Sequence, residues 1–150
     1  MPDDTSADRL LDHFDVELTQ HQRLLRLELG AAAGLLPHRL VGEEAVSAPF
    51  RYRLDCLCQR GDLELKHLIG APARLAIRQA DASERPLHAL VAEAARLGED
   101  GGLSTYQLTL VPWLSMLALG RGSRIFQDRS VPGIATAVFD AHTLARGRYR

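Results

Sequence analysis

The chain has 150 residues, the size of one domain, and at this length it can bury a hydrophobic core. It is 46% hydrophobic and 25% charged, with a net charge of −1 from 18 basic and 19 acidic residues, as in an ordinary soluble globular protein. This charge balance gives no long-range attraction for a polyanion, which argues against nucleic-acid binding. No apolar run reaches the roughly 20 residues that span a bilayer.

Residues 1–21 predict a polar N-terminal arm. Leu10, Leu11 and Phe14 fall at helical spacing behind Ser6, so the pattern fits either one or two capped helical turns or a loose arm. The start is acidic and lacks the basic and apolar regions of a secretory signal. We therefore expect a protein made in the cytoplasm that, if exported, leaves by a route that recognises the folded chain.

Alternation of apolar and polar residues predicts the first strands. Leu25, Leu27 and Leu29 share one face of a strand that residues 30–34 end, and residues 38–44 form a less regular extended run. The clearest strand covers residues 49–58. Its apolar face contains Phe50, Tyr52, Leu54, Cys56 and Cys58, and its polar face contains Arg51, Arg53 and Asp55.

The two cysteines continue the apolar face of that strand. A disulfide between Cys56 and Cys58 would be highly strained, because the residues are only two apart. No Cys or His pair elsewhere has the spacing that would complete a zinc site. We expect two buried thiols that act as small apolar side chains.

Residues 59–85 predict a turn, one helical turn, a strand and a second turn. The turns fall at residues 59–62 and 79–84, and the helical turn at residues 63–69 ends at Gly70. In the strand between them, Ala73, Leu75 and Ile77 alternate with Arg74 and Arg78.

Residues 86–97 give two conflicting signals. The apolar residues fall at helical spacing behind Pro86, which suits a helix start. Residues 98–102 nevertheless predict a hairpin turn, and a regular strand follows. In that strand Tyr106, Leu108 and Leu110 point inward, while Thr105, Gln107 and Thr109 point outward. A hairpin needs residues 86–97 as its first strand, so the residues alone leave helix and strand open.

The end of the chain predicts two short helices. Pro112 suits the first helical position before an apolar face of Trp113, Met116 and Leu117, and Gly120 ends the helix. A lone tryptophan there is either a ligand platform or, as we favour, a packing anchor. After an extended stretch containing Ile125 and Phe126, Ser130 caps a last helix. Its apolar stripe contains Val131, Ile134, Ala135 and Val138.

The sequence contains no catalytic or metal-binding motif. It lacks a G-x-S-x-G elbow, a phosphate loop and an H-E-x-x-H helix, and no two of its six histidines lie three or four residues apart on one helix. We expect no enzyme activity, no cofactor and no metal site. About six strands followed by small helices predict an antiparallel barrel or sandwich with helical insertions.

Four segments, in this order and spacing, resemble the start of the VgrG family, the spike proteins of type VI secretion. The first, Gly42–Tyr52 (GEEAVSAPFRY), is similar to the family pattern G-x-E-x-[LV]-S-x-P-F-x-[FY]. The others are Leu68–Gly70 (LIG), Tyr106–Leu114 (YQLTLVPWL) and Ser123–Val131 (SRIFQDRSV). The resemblance marks a set of residues as core or interface positions: Ser47, Pro49, Phe50, Tyr52, Pro112, Trp113, Arg124, Ile125, Phe126, Gln127 and Asp128.

The resemblance implies a mainly β fold like that of phage tail hub proteins. In that fold two similar antiparallel barrels per subunit trimerise into a ring of approximate sixfold symmetry. Residues 22–150 would supply most of the first barrel, still incomplete, with residues 86–97 as a strand. Family members run to several hundred residues, so we expect this chain to be a fragment or a truncated product. One departure is Ala89, where the family usually has glycine.

The implied function is structural. The trimer would dock on the hexameric tube protein Hcp and deliver effectors, leaving the cell through the type VI apparatus without a signal peptide. Its partners would be Hcp and secreted effectors or chaperones, with no nucleic acid and no membrane insertion. Arg51, Arg53 and Asp55 would either make these contacts or simply face solvent. The alternatives are a phage tail baseplate hub protein and an adaptor fragment that binds an effector or chaperone through residues 1–19.

Overall fold

Six antiparallel strands form one sheet in the part of the chain that the computed structural model describes, residues 23–30 and 34–145. The order across the sheet is β1-β4-β5-β6-β3-β2. The edge strands β1 and β2 contact each other without pairing, so the sheet curls into an open half-barrel. The strands are β1 Leu25–Leu29, β2 Leu36–Ala45, β3 Ala48–Cys58, β4 Pro72–Arg78, β5 Glu84–Asp100 and β6 Leu103–Val111.

The inner face of the half-barrel contains the hydrophobic core. Alternate residues of β3 and β6 point there, as the period of two predicted, and Leu54, Leu75 and Leu108 are fully buried. Cys56 and Cys58 are also buried, as free thiols, which confirms their assignment as apolar side chains. Burial raises the pKa of Cys56 to about 12, with smaller contributions from the charges of Asp55 and Cys58.

Residues 86–97 form a strand, and the helical reading of their spacing is wrong. They lie in β5, which pairs with β4 over residues 84–90 and with β6 over residues 90–100. Two ladders of backbone hydrogen bonds therefore override the helical preference of alanine and leucine. The ladder with β6 shifts register after Val91 and after Arg96. Ala89, by contrast, pairs regularly with Ala73, so the glycine that the family usually has is not required there.

The connections follow the predicted turns with one correction. A 3₁₀ turn at Leu65–His67 precedes Gly70, whose φ is +81°, as expected of a glycine that ends a helical turn. The hairpin turn expected over residues 98–102 is shorter, because β5 continues to Asp100. Gly101 and Gly102 alone make the turn, both with positive φ, as a two-residue hairpin requires.

The region after the sheet contains a 3₁₀ helix at Trp113–Leu119, an α-helix α1 at Val131–Asp140 and a 3₁₀ turn at Thr143–Ala145. Ser130 caps α1 by accepting a hydrogen bond from the Gly133 N–H, as predicted. Pro112 precedes the first helix and retains an extended backbone, so it does not occupy the first helical position.

Two further details differ from the sequence predictions. Val131, in the first turn of α1, is 80% exposed, whereas Ile134, Ala135 and Val138 are half-buried, so the apolar stripe begins one turn later than predicted. Thr109 is buried although its strand position faces outward, because its hydroxyl bonds to Glu93 of the neighbouring β5. The predicted arm, residues 1–21, lies outside the described residues. No helix of the described chain is both long and apolar enough to cross a bilayer.

Candidate interaction surfaces

The β2–β3 hairpin holds Gly42 directly beneath an aromatic ring. Gly42 pairs with Tyr52 across the two strands. A Cβ atom added to Gly42 would lie less than 3.0 Å from three ring carbons of Tyr52, so only glycine leaves room for the ring. The first segment of the family pattern therefore contains a glycine and an aromatic residue that meet face to face.

The hydroxyl group of Tyr52 completes a small polar cluster. It donates a hydrogen bond to Glu44, and the same carboxylate oxygen accepts a 2.6 Å bond from Arg85 of β5. The hydrogen bond from Tyr52 is the largest cause that lowers the pKa of Glu44, and the hydrogen bond from Arg85 is the next. Burial is the largest cause that raises the pKa of Tyr52, and its hydrogen bond to the Glu44 carboxylate is the next. The cluster connects edge strand β2 to β5, which lies on the far side of β3 and β6.

The tip of the hairpin is exposed. Ser47 has a φ of +64°, in the left-handed region that a tight turn requires, and Val46 beside it is 97% exposed. Pro49 is exposed, whereas the half-buried Phe50 packs against the core with its ring 5.6 Å from that of Tyr52. The structure thus places Phe50 and Tyr52 against the core and Ser47 and Pro49 at the surface.

The outer face of the sheet is polar, and its side chains form hydrogen bonds and ion pairs between strands. Arg51 bonds to Glu93 at 2.8 Å, which lowers the pKa of Glu93 together with the bond from Thr109. Asp55 accepts a 2.8 Å bond from Gln107. Arg53, between them, is exposed and forms no ion pair with the described residues. Since exposed pairs contribute little to stability, this face remains available for contacts.

The region after β6 packs around one aromatic pair. The Trp113 ring meets the Phe139 ring edge to face, with centroids 5.1 Å apart and an interplanar angle of 89°. This contact joins the first 3₁₀ helix to α1, which supports the packing-anchor interpretation of Trp113. Pro112, half-buried, connects this region to the last strand.

The segment between these two helices is extended and exposed. Ile125 is 89% exposed, Phe126 is half-buried, and Arg124 and Gln127 are exposed. Asp128 has a φ of +53°.

The residues of the family motifs therefore lie in two parts of the fold, the hairpin and the region after β6. The sequence did not single out Arg85, Gly42 or Glu44. For Gly42 and Glu44 the only signal was their place in the family pattern.

The described residues offer ion pairs and apolar contacts. Across residues 23–30 and 34–145, no group of three or more His, Cys, Asp or Glu side chains lies close enough together to hold a metal ion. Buried side-chain polar atoms in these ranges all have a hydrogen-bond partner. The arrangement is suited to contacts between surfaces.

Comparison with known proteins gives consistent matches. A family model described as the phage tail baseplate hub (GPD) matches residues 43–150. The chain is 38% identical over 123 residues to the type VI secretion system spike protein VgrG1b of Pseudomonas aeruginosa. This alignment covers 81% of this chain and 17% of that protein. It is 33% identical over 127 residues to VgrG1c of the same organism, covering 84% of this chain and 18% of that protein.

A solved structure has the same fold. It is an E. coli component of the type VI secretion system, described as structurally similar to the bacteriophage T4 tail proteins gp27 and gp5. It aligns with a TM-score of 0.70 at 21% identity, over 83% of this chain and 33% of that chain. The chain spans less than one fifth of the length of the two Pseudomonas proteins.

Proposed function

The chain belongs to the family of phage tail baseplate hub and type VI secretion spike proteins, and we propose that it forms part of the base of a type VI secretion spike. In this role it acts by assembly and carries out no catalysis. It contributes to a homotrimeric ring that docks on the hexameric tube protein Hcp and helps to deliver effectors or chaperone-bound cargo. It is made in the cytoplasm and leaves through the secretion apparatus.

The open half-barrel is the observation that carries this proposal. β1 and β2 each pair on one side only, and β2 is exposed from Val41 to Ala45. Unpaired strand edges favour association with another strand, and an isolated domain normally covers or charges them. A ring in which a neighbouring barrel covers these edges would satisfy their backbone groups.

The polar outer face supports a docking role. A trimer with two similar barrels per subunit presents six related surfaces, which resolves the mismatch between a threefold spike and a sixfold tube. Arg53 is exposed without an ion pair to the described residues, while Arg51 and Asp55 already bond to neighbouring strands. Arg53 is therefore the residue of this face that we expect to contact a partner.

Light scattering coupled to size exclusion tests the proposal, with the chain alone and mixed with the hexameric tube protein. We expect self-association that depends on concentration, and co-elution with the tube hexamer that Arg53→Glu weakens. Arg78→Glu, an exposed arginine of β4, is the matched control. A chain that stays monomeric at every concentration and elutes apart from the tube would contradict the proposal.

A second pair of variants tests the strand edge. Val41 lies on β2 and is 41% exposed, whereas Val46 is at the hairpin tip. A lysine on an exposed edge strand opposes edge-to-edge pairing. Val41→Lys should therefore reduce self-association more than Val46→Lys. Equal behaviour of the two variants would place the association surface elsewhere.

One observation favours a phage tail baseplate hub as the second candidate. The family model that matches residues 43–150 carries that description. Fold and docking geometry are alike in the two roles, so a preference for the Hcp hexamer over a phage tail tube protein in the same experiment separates them.

A further inference from the structure

Charged residues are distributed unevenly along the chain. Residues 1–22 contain six acidic residues and one arginine, a net charge of −5. Residues 23–111, which include the whole sheet, contain eleven acidic and eleven basic residues and are neutral. Residues 112–150 contain six arginines and two aspartates, a net charge of +4, and together the three parts give the total of −1. Opposite charges at the two ends of a neutral domain attract each other.

The basic residues after the sheet differ from those on it. Eight of the eleven basic residues in residues 23–111 form an ion pair with a carboxylate. Arg121, Arg124 and Arg129 are exposed and pair with no carboxylate of the described residues. The one acidic residue among them is Asp128. The extended segment therefore contains three cations, one acidic residue and no ion pair among the described residues.

Exposed apolar side chains accompany these arginines. Leu119 is 78% exposed, Ile125 is 89% exposed, and Val131 is 80% exposed. We call residues 119–131 the basic segment. Apolar side chains concentrated among cations are typical of a surface that a partner covers. The matching partner is acidic and has apolar side chains of its own.

We propose that residues 1–22 dock on the basic segment of the same chain. In this arrangement their six carboxylates would supply counter-charges to Arg121, Arg124 and Arg129, and Leu10, Leu11 and Phe14 would cover the exposed apolar side chains. An extended chain spans about 3.3 Å per residue, so 22 residues reach up to roughly 70 Å, several times the radius of gyration of about 13 Å of a compact 100-residue domain. Covalent linkage raises the effective concentration to about the millimolar range, which favours docking within one chain. The arm therefore competes with any acidic partner for this surface.

The chain provides its own fluorescence donor for the test. Trp113 is the single tryptophan and lies on the 3₁₀ helix that leads into the basic segment. Cys56 and Cys58 are buried, so a thiol-reactive dansyl group attached to the folded Ser6→Cys variant labels the arm selectively. Energy transfer from Trp113 to the dansyl group reports docking of the arm.

We expect efficient transfer at about 10 mM salt, where the Debye length is about 30 Å, and loss of at least half of it at about 1 M, where the length is about 3 Å. Replacing Arg121, Arg124 and Arg129 by glutamine should lower transfer to a similar degree at low salt. The control replaces Arg39, Arg60 and Arg78, exposed arginines of the sheet and of the β3–β4 connection, by glutamine, with the same change in net charge and no expected loss.

Two results would overturn the proposal. One is equal transfer in the two triple variants, both shown to be folded by circular dichroism. The other is transfer that falls on dilution, because an arm that docks on a second molecule depends on concentration while one that docks within its own chain does not. Transfer that is independent of dilution and lost only in the variant of the basic segment supports it.

Discussion

The close approach of Gly42 and the Tyr52 ring gives a sharp stability prediction. A Cβ at Gly42 would overlap three carbons of a ring that is itself buried, so Gly42→Ala must displace it. Gly98, on β5, has no heavy atom within 4 Å of the same added Cβ and provides the matched control. Both substitutions gain about 0.5–1 kcal/mol from replacing a strand glycine, so their difference isolates the overlap.

Overpacking a core site typically costs about 1–3 kcal/mol, so Gly42→Ala should be less stable than Gly98→Ala by that amount. Urea unfolding of the two variants and the parent chain measures the difference in the free energy of unfolding. In a Tyr52→Leu background the cost of Gly42→Ala should fall below about 0.5 kcal/mol, because the opposing ring is gone. Equal stability of Gly42→Ala and Gly98→Ala, or an undiminished cost in the Tyr52→Leu background, would refute the assignment.

Other residues give further predictions. Because its partners hold the pKa of Glu44 below the ordinary value of 4.5, the cluster should stabilise the fold above that pH and lose the contribution as pH falls through the lowered value. Glu44→Gln should reduce the fall in the free energy of unfolding at acid pH. An unchanged fall would count against the cluster. Leu54→Ala should cost about 2–5 kcal/mol in urea unfolding, whereas Ile125→Ala, at an exposed side chain, should stay within about 0.5 kcal/mol; similar costs would contradict the described burial. Cys56 should react with iodoacetamide only upon unfolding, as followed by mass spectrometry, since burial raises its pKa to about 12; rapid labelling of the folded chain would be inconsistent with this.

Much of the sheet could be predicted from alternation. The inward faces of β3 and β6 follow directly from their period of two, because one face of a half-barrel is buried and the other is not. Residues 86–97 show the limit of local reasoning: their spacing is helical, and only pairing with two neighbouring strands makes them a strand.

The details of the hairpin could not be predicted from the residues alone. Glu44 and Arg85 are 41 positions apart, and nothing in their local sequence indicates that they meet. The close approach of Gly42 to the Tyr52 ring depends on strand register, which a regular pattern does not determine when both strands extend beyond the core. The period of two predicts Thr109 on the outward face, and its burial there could not be predicted because it depends on Glu93 of another strand.

The strand order also has a kinetic consequence. β4, β5 and β6 are neighbours both in the chain and in the sheet, so this meander forms by short-range closure. The ladder between β3 and β6 joins segments far apart in sequence, and so does the ladder between β1 and β4. Long loops must close before these contacts form, which slows folding. We expect the meander to assemble first, with the β2–β3 hairpin docking on β6 as the slow step of folding.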